Sequence, residues 1–239
     1  MAKFEKVNLL NYPIFFMTKE TKCPYLDNKS EKRLVTDLNN NPFLFDELSL
    51  SGFRRIENWM YRPSCSHCNE CKSYRVNINE FSLTKSLKRI KKNNEGISTF
   101  LKKNLASEEY YNLFSTYQHK RHTGSSMSNM TFEDFKSMIE SSPINTQLCE
   151  FRNKEKKLIG LMLFDYQRDG LSAVYSFYDV KFEKSGLGNF MILELIELAK
   201  KLTLDYVYLG YYIKNAPRMN YKLKFQEGEL YSDGKWTKT

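Results

Sequence analysis

Residues 158–178, LIGLMLFDYQRDGLSAVYSFY, decide the fold: Leu158 to Tyr166 and Leu171 to Tyr178 are apolar and aromatic runs joined by Arg168-Asp169-Gly170. Two such runs about a polar, glycine-containing turn predict a β-hairpin. Ser185-Gly186-Leu187-Gly188 follows, then Asn189 to Leu202, whose polar stripe of Glu194, Glu197 and Lys201 is narrow, so the predicted helix is mostly buried. After a short turn comes another strand, Tyr206 to Tyr212. Hairpin, glycine turn, buried helix and strand make a βαβ unit grafted on an antiparallel hairpin. This predicts an α+β protein with a mixed sheet in its C-terminal half.

Upstream, Ser107 reads as an N-cap, with Glu108 and Glu109 in the first turn and Tyr110, Leu113, Phe114 and Tyr117 at helical spacing. The basic cluster His119, Lys120, Arg121 and His122 before Gly124 suits the C-terminal end of a helix dipole. Thr131 opens a second helix through Phe132, Phe135, Met138 and Ile139, stopped by Ser142-Pro143. Residues 1–100 are turn-rich and mixed. Cys23-Pro24-Tyr25 and Arg62-Pro63 fix extended backbone, and Tyr74, Val76 and Ile78 alternate with Arg75 and Asn77 as in a strand. The expected organisation is a smaller, cysteine-containing α/β lobe over residues 1–100 and a larger domain over residues 101–239.

A chain of 239 residues with 41% apolar content can bury one large core or two modest ones. Met1 to Leu10 mixes Lys3, Glu5 and Lys6 among apolar positions, so no signal peptide is expected, and no apolar run reaches the length of a bilayer span. The expectation is a cytoplasmic protein without a membrane partner. The net charge is +9 and the pI about 9.1, with Lys85, Lys88, Arg89, Lys91 and Lys92 crowded together ahead of Lys102 and Lys103. Such a run serves as a solvated face as readily as a binding surface. The excess over the whole chain points to a polyanionic partner, because each phosphate neutralised releases counterions. Sixteen tyrosines offer stacking surfaces for unpaired bases, and they are equally good strand formers.

Cys65, Cys68 and Cys71 form a CxxCxxC run, and Cys23 stands apart. Four thiolates are the complete ligand set of one tetrahedral zinc or one cubane iron-sulfur cluster, and the spacing suits either. A redox pair or plain core thiols use the same spacing. His67 can replace a thiolate on zinc, although an inner residue of a CxxC step is expected to point away from such a centre. The odd cysteine, Cys149, reads as a small buried hydrophobe and argues against a disulfide framework.

The Ser185 to Gly188 turn presents free backbone N–H groups at a helix N-terminus, a natural anion site. A similar turn in acetyltransferases of the GNAT fold holds the pyrophosphate of coenzyme A, but this chain lacks their glycine motif in full. No Ser-His-Asp or Cys-His constellation is evident.

Several blocks then appear in order: Gly52-Phe53-Arg54-Arg55; Tyr61-Arg62-Pro63 leading into Cys65, Cys68 and Cys71; Arg121-His122 with Gly124; Tyr175 with Phe177-Tyr178-Asp179; Tyr208 to Ile213; and Met219-Asn220-Tyr221-Lys222. Together they resemble the aminoacyl-tRNA-protein transferases, in particular the bacterial aspartate/glutamate leucyltransferases, which are similar to the eukaryotic arginyltransferases. The resemblance runs from about Cys23 to Trp236, with Gly186 standing where it predicts a serine. It implies a GNAT-like acyltransferase domain that holds the aminoacylated 3′ end of Leu-tRNA. It further implies transfer of leucine to proteins beginning with Asp or Glu, marking them for degradation. Arginyl transfer to the same N-termini and a coenzyme A-dependent N-acyltransferase are the alternatives. The likeness to arginyltransferases favours an iron-sulfur cluster over zinc at Cys23, Cys65, Cys68 and Cys71, although the chemistry itself requires no cofactor.

An aminoacyl ester is already activated, and an N-terminal amine with a pKa of about 8 is partly deprotonated at neutral pH. Positioning and oxyanion stabilisation are therefore the main tasks. An acidic N-terminal side chain calls for a bidentate arginine, and Arg54 and Arg55, beside Tyr61, are the candidates. Arg121 and His122 suit phosphate contact as well as the helix dipole. Asp179, with Tyr178, is placed to orient or deprotonate the amine, or else to cap a turn. Asn220, Tyr221 and Lys222 suit the terminal adenosine and phosphates, with Tyr211 and Lys214 expected in the same pocket.

Overall fold

Short runs of alternating character build the first part of the chain, whose computed structural model describes residues 13–39 and 41–239. Met1 to Leu10, where a leader would lie, fall outside the described residues. In chain order the strands are β1 (Phe16–Met17), β2 (Thr21–Lys22), β3 (Ser30–Glu31), β4 (Arg33–Asp37), β5 (Arg54–Ile56) and β6 (Trp59–Pro63), with helix α1 (Phe45–Leu50) before β5. They form an antiparallel sheet of order β1-β4-β6-β5 and a β2-β3 ribbon. Leu38, Phe45, Leu48, Phe53 and Met60 make a small core beneath.

The remaining elements are β7 (Lys72–Asn77), α2 (Lys85–Asn93), β8 (Ser98–Lys103), α3 (Glu108–Arg121), α4 (Phe132–Glu140), β9 (Thr146–Arg152), β10 (Leu158–Tyr166), β11 (Gly170–Tyr178), α5 (Leu187–Lys201), β12 (Tyr206–Tyr212), β13 (Gly228–Ser232) and β14 (Lys235–Lys238). The eight strands form one sheet of order β14-β13-β7-β12-β11-β10-β9-β8. The hairpin β10-β11 is antiparallel, β11 and β12 are parallel, and α5 crosses between them, so the expected mixed sheet and βαβ unit are both present. Local chemistry sets the helix starts. Ser107 Oγ accepts the Tyr110 N–H at 3.3 Å, and Thr131 with Asp134 forms a reciprocal capping box. Among the described residues no helix is long and apolar enough to cross a membrane.

β7 belongs to the first hundred residues yet pairs with both β12 and β13. The two expected lobes therefore share one sheet. Further ties join them, including Trp236 Nε1 donating to Leu50 O at 2.9 Å and Arg168 paired with Glu47 at 3.0 Å. Arg75 of β7 is clasped where these strands meet, its guanidinium 3.6 Å from the Tyr206 ring, 4.2 Å from Trp236 and 2.7 Å from Glu229.

The parallel pair positions the site. Gly170, Leu171 and Ser172 of β11 pair with Tyr206, Val207 and Tyr208 of β12, after which β11 follows β10 and β12 follows β7. The register of β12 breaks between Tyr208 and Gly210, where Gly210 adopts a φ of +78° that L side chains rarely tolerate. The parted strands open a crevice toward their carboxyl ends, the place where ligands commonly bind in sheets with parallel strands.

Candidate active site

Successive residues of a strand face opposite ways, and this separates the adjacent arginines of β5. Arg54 turns into the parting. Its Nη2 donates to Ala173 O at 2.9 Å and Val174 O at 3.3 Å, carbonyls of β11 just beyond the end of its pairing with β12. Among the described residues no carboxylate pairs with Arg54, and its Nε and Nη1 have no hydrogen-bond acceptor. Arg55 points away. It is 6% exposed and makes two 2.7 Å bonds to Asp165, which is fully buried, while its Nη1 donates to Glu57 O at 2.7 Å. Thr146 Oγ1 donates to the same carboxylate at 2.7 Å. The expectation that Arg55 meets substrate is corrected: it is an internal tie whose donors are already engaged.

Beside Arg54 lie Tyr61, Tyr211, Tyr221 and Lys222. Tyr211 shares its hydroxyl between Tyr61 O at 2.9 Å and Gly52 O at 3.1 Å, and its ring meets that of Tyr61 edge-on at 5.8 Å. Tyr221 is 37% exposed, and burial raises its phenol pKa against the opposing charge of Arg54. Lys222 is 2% exposed and donates to Tyr211 O, with Met219 Sδ 3.4 Å away. Burial, followed by Arg54, pushes its pKa well below the usual lysine value. A lysine so enclosed does not reach phosphate, which corrects that part of the expectation. Lys214 and Asn220 are exposed, and no side-chain hydrogen bond among the described residues ties them to the crevice.

The far wall comes from α3 and the end of β11. Tyr178 is 8% exposed, packs on Tyr117 at 5.3 Å and lies against Gly188, where a Cβ would stand 3.0 Å from its ring. Arg121 reaches over the Tyr178 ring at 5.9 Å and is ion-paired with Glu183. His122 meets Tyr117 edge-on at 5.4 Å, and its pKa is lowered by burial, then by Arg121 and Arg218. Gln118 Nε2 donates to the Tyr175 hydroxyl at 2.6 Å. Asp179 accepts the Lys181 N–H at 3.1 Å and caps the 3-10 turn Val180–Ser185, the alternative role foreseen for it. Tyr221 joins the two walls, because it is near enough to influence the ionisation of Tyr117 and to feel Arg54. Sequence reading gave no site role to Tyr117, Tyr175 or Arg218. The first two carry the apolar periodicity of core residues, and only their hydroxyls distinguish them.

Burial, then Cys65, Cys23 and Cys68, pushes the Cys71 thiol up to about 12, so the other three cysteines of the expected set lie within electrostatic reach of Cys71. Cys65 and Cys68 face each other across an isolated antiparallel bridge, and the three clustered cysteines line a cleft of about 340 Å³ with Lys72, Tyr211 and Tyr231. In number and kind these donors suit zinc or an iron-sulfur cluster. Their placement does not complete a ligand set: among the described residues no group of three or more His, Cys, Asp or Glu is arranged to hold a metal ion.

A half-buried cation without a carboxylate partner among the described residues and phenols whose pKa burial raises line the crevice, while Ser115 Oγ and His119 Nδ1 on α3 stand 3.5 Å apart at an exposed position. The chain belongs to the arginine-tRNA-protein transferase family, whose N-terminal model matches residues 21–89 and whose C-terminal model matches residues 109–232. It is therefore an aminoacyltransferase. Curated relatives named aspartate/glutamate leucyltransferase include those of Granulibacter bethesdensis, 39% identical over 93% of this chain and 84% of the relative, and Rhodospirillum rubrum, 40% identical over 95% and 94%. The fold is shared with the solved structure of FemX at 7% identity, with a TM-score of 0.51 over 90% of this chain and 84% of that one.

Proposed function

We propose that the crevice takes the aminoacylated 3′ end of Leu-tRNA and passes leucine to the α-amine of proteins beginning with Asp or Glu, creating a degradation signal in the cytoplasm. The parted β11-β12 pair is read as a GNAT-like acyl-donor cleft adapted to an ester on RNA. The amine nitrogen bonds to the ester carbonyl carbon, the carbonyl–ribose oxygen bond breaks, and the proton lost by the amine ends on the departing ribose oxygen. Burial raises the phenol pKa values of Tyr117, Tyr175, Tyr178 and Tyr221, so each is a hydrogen-bond donor at neutral pH, suited to the charge that develops on the carbonyl oxygen. Arg54 offers its free N–H groups to the acidic side chain of the acceptor protein.

The observation that carries this reading is the half-buried, acid-free Arg54 at the parting of the strands. The test offers Asp-, Glu- and Ala-started peptides with Leu-, Phe- and Arg-charged tRNA and weighs the products. One added leucine on the Asp and Glu peptides supports the proposal. Arginine addition would reassign the donor, and addition from free leucine without tRNA would overturn it.

A further inference from the structure

Helix α2 has the wrong charge pattern for an ordinary solvated face. Lys85, Lys88, Arg89, Lys91 and Lys92 are all exposed on nine residues that contain no acid. Natural surfaces intersperse both signs, and residues three or four apart on a helix repel when their charges match. Lys91 and Lys92 suit the helix C-terminus, but Lys85 and Lys88 lie in the half where the dipole disfavours cations. Lys91 is held 3.7 Å from Glu197, whereas Lys85, Lys88, Arg89 and Lys92 make no ion pair among the described residues. The fold draws little core from this helix, since Leu87 is its buried residue and Ile90 packs beside Gly186.

The helix is also held in one place. Asn94, at its C-terminal end, donates to Ile90 O at 2.8 Å and Ser185 O at 2.9 Å and accepts from Ser185 Oγ at 3.0 Å. Ser185 ends the 3-10 turn Val180–Ser185, which carries the exposed Lys181 and Lys184 and is separated from Tyr178 in the crevice wall by its cap, Asp179, alone. Glu183 of that turn pairs with Arg121 at the end of α3, next to His122 and, through it, Arg218. Cations thus succeed one another from α2, across the turn, to the crevice mouth.

We propose that α2 and the Val180–Ser185 turn form the docking track for the double-helical acceptor stem of the donor tRNA, while the unpaired 3′ end enters the crevice. The proposal rests on the tRNA-dependent reading above. A reactive ester at the end of a duplex requires the duplex to lie against whatever flanks the site, and RNA duplexes are held mainly through phosphates and 2′-hydroxyls, without regard to sequence. A row of unpaired lysines and an arginine supplies that contact.

The test compares the wild type with Lys88→Gln/Arg89→Gln/Lys92→Gln, using full-length Leu-tRNA and a leucyl ester of the unpaired 3′ trinucleotide. With full-length tRNA the triple variant should bind about tenfold more weakly, and its slope of log affinity on log salt should flatten by about 0.7 to 0.9 for each phosphate that is no longer neutralised. Transfer from the trinucleotide ester and the melting temperature should not change. Unchanged affinity and slope would overturn the docking track. A lowered melting temperature or the absence of transfer from the short donor would overturn it too, by making α2 structural. Failure of the wild type to use any charged tRNA would instead count against the functional reading.

Discussion

The guanidinium of Arg54 fills the space that a side chain on Gly210 would need: a Cβ there would stand 1.7 Å from Nη1 and 2.2 Å from Cζ. The arginine and the glycine specify each other, because the bare Cα leaves room for the cation and the cation covers the break in β12. Gly210→Ala should displace Arg54 and strain a backbone whose φ is +78°. The expected outcome is a raised KM for Asp- and Glu-started peptides with little change in tRNA affinity. Removing the guanidinium by Arg54→Ala should cost about 1.5 to 3 kcal/mol in transfer to Asp-started peptides, read as kcat/KM against an Ala-started control. Equal losses on both peptides would move the acidic subsite elsewhere.

Arg55 should behave quite differently from its neighbour. Arg55→Ala leaves Asp165 buried without its partner, which should lower stability by about 3 to 5 kcal/mol in urea unfolding. Replacing both residues, as Arg55→Met/Asp165→Leu, should recover much of the loss. The ratio of Asp- to Ala-peptide transfer by the folded protein should stay that of the wild type.

His122 should titrate below its ordinary value of 6.5, because burial and then Arg121 and Arg218 disfavour its charged form. As pH falls through 6.5 the unfolded chain binds a proton before the folded one, so the contribution of this residue to stability is present above 6.5 and is lost on acidification. NMR titration of its ring protons should give a midpoint under 6.5 that rises in Arg121→Gln. A wild-type midpoint above 6.5 would contradict the arrangement.

Lys222 is depressed in the same sense. Between its lowered folded pKa and the unfolded value of 10.5 the unfolded chain carries the extra proton, so stability should climb with pH across that window. Lys222→Met should abolish the climb and leave stability at pH 7 unchanged or higher, measured by urea unfolding at pH 7 and pH 9.5. A steeper pH dependence in the variant would show that another group carries it.

Elements whose determinants are local were legible in the sequence. The hairpin at 158–178, the Ser107 and Thr131 caps and the helix after Gly186 all follow from nearest-neighbour chemistry. The strand character of β7 was also visible, but its place was not, because pairing partners more than a hundred residues away leave no mark on a local pattern. The same limit explains the arginine pair. Arg54 and Arg55 read alike until Ala173 and Asp165 show which face each occupies. In the walls of the crevice, Tyr117 and Tyr175 match the periodicity of core residues, so no local pattern sets them apart.

The insertion of β7 also governs how this sheet can assemble. Val76 waits for Val207 on one side and Gly228 on the other, so the middle of the sheet closes only after the last strands are in hand. Loops of this length are slow to close, and until then β7 offers two open edges to any stray strand. Folding of this chain on the ribosome should therefore depend on protection of residues 72–77 until the C-terminal hairpin emerges.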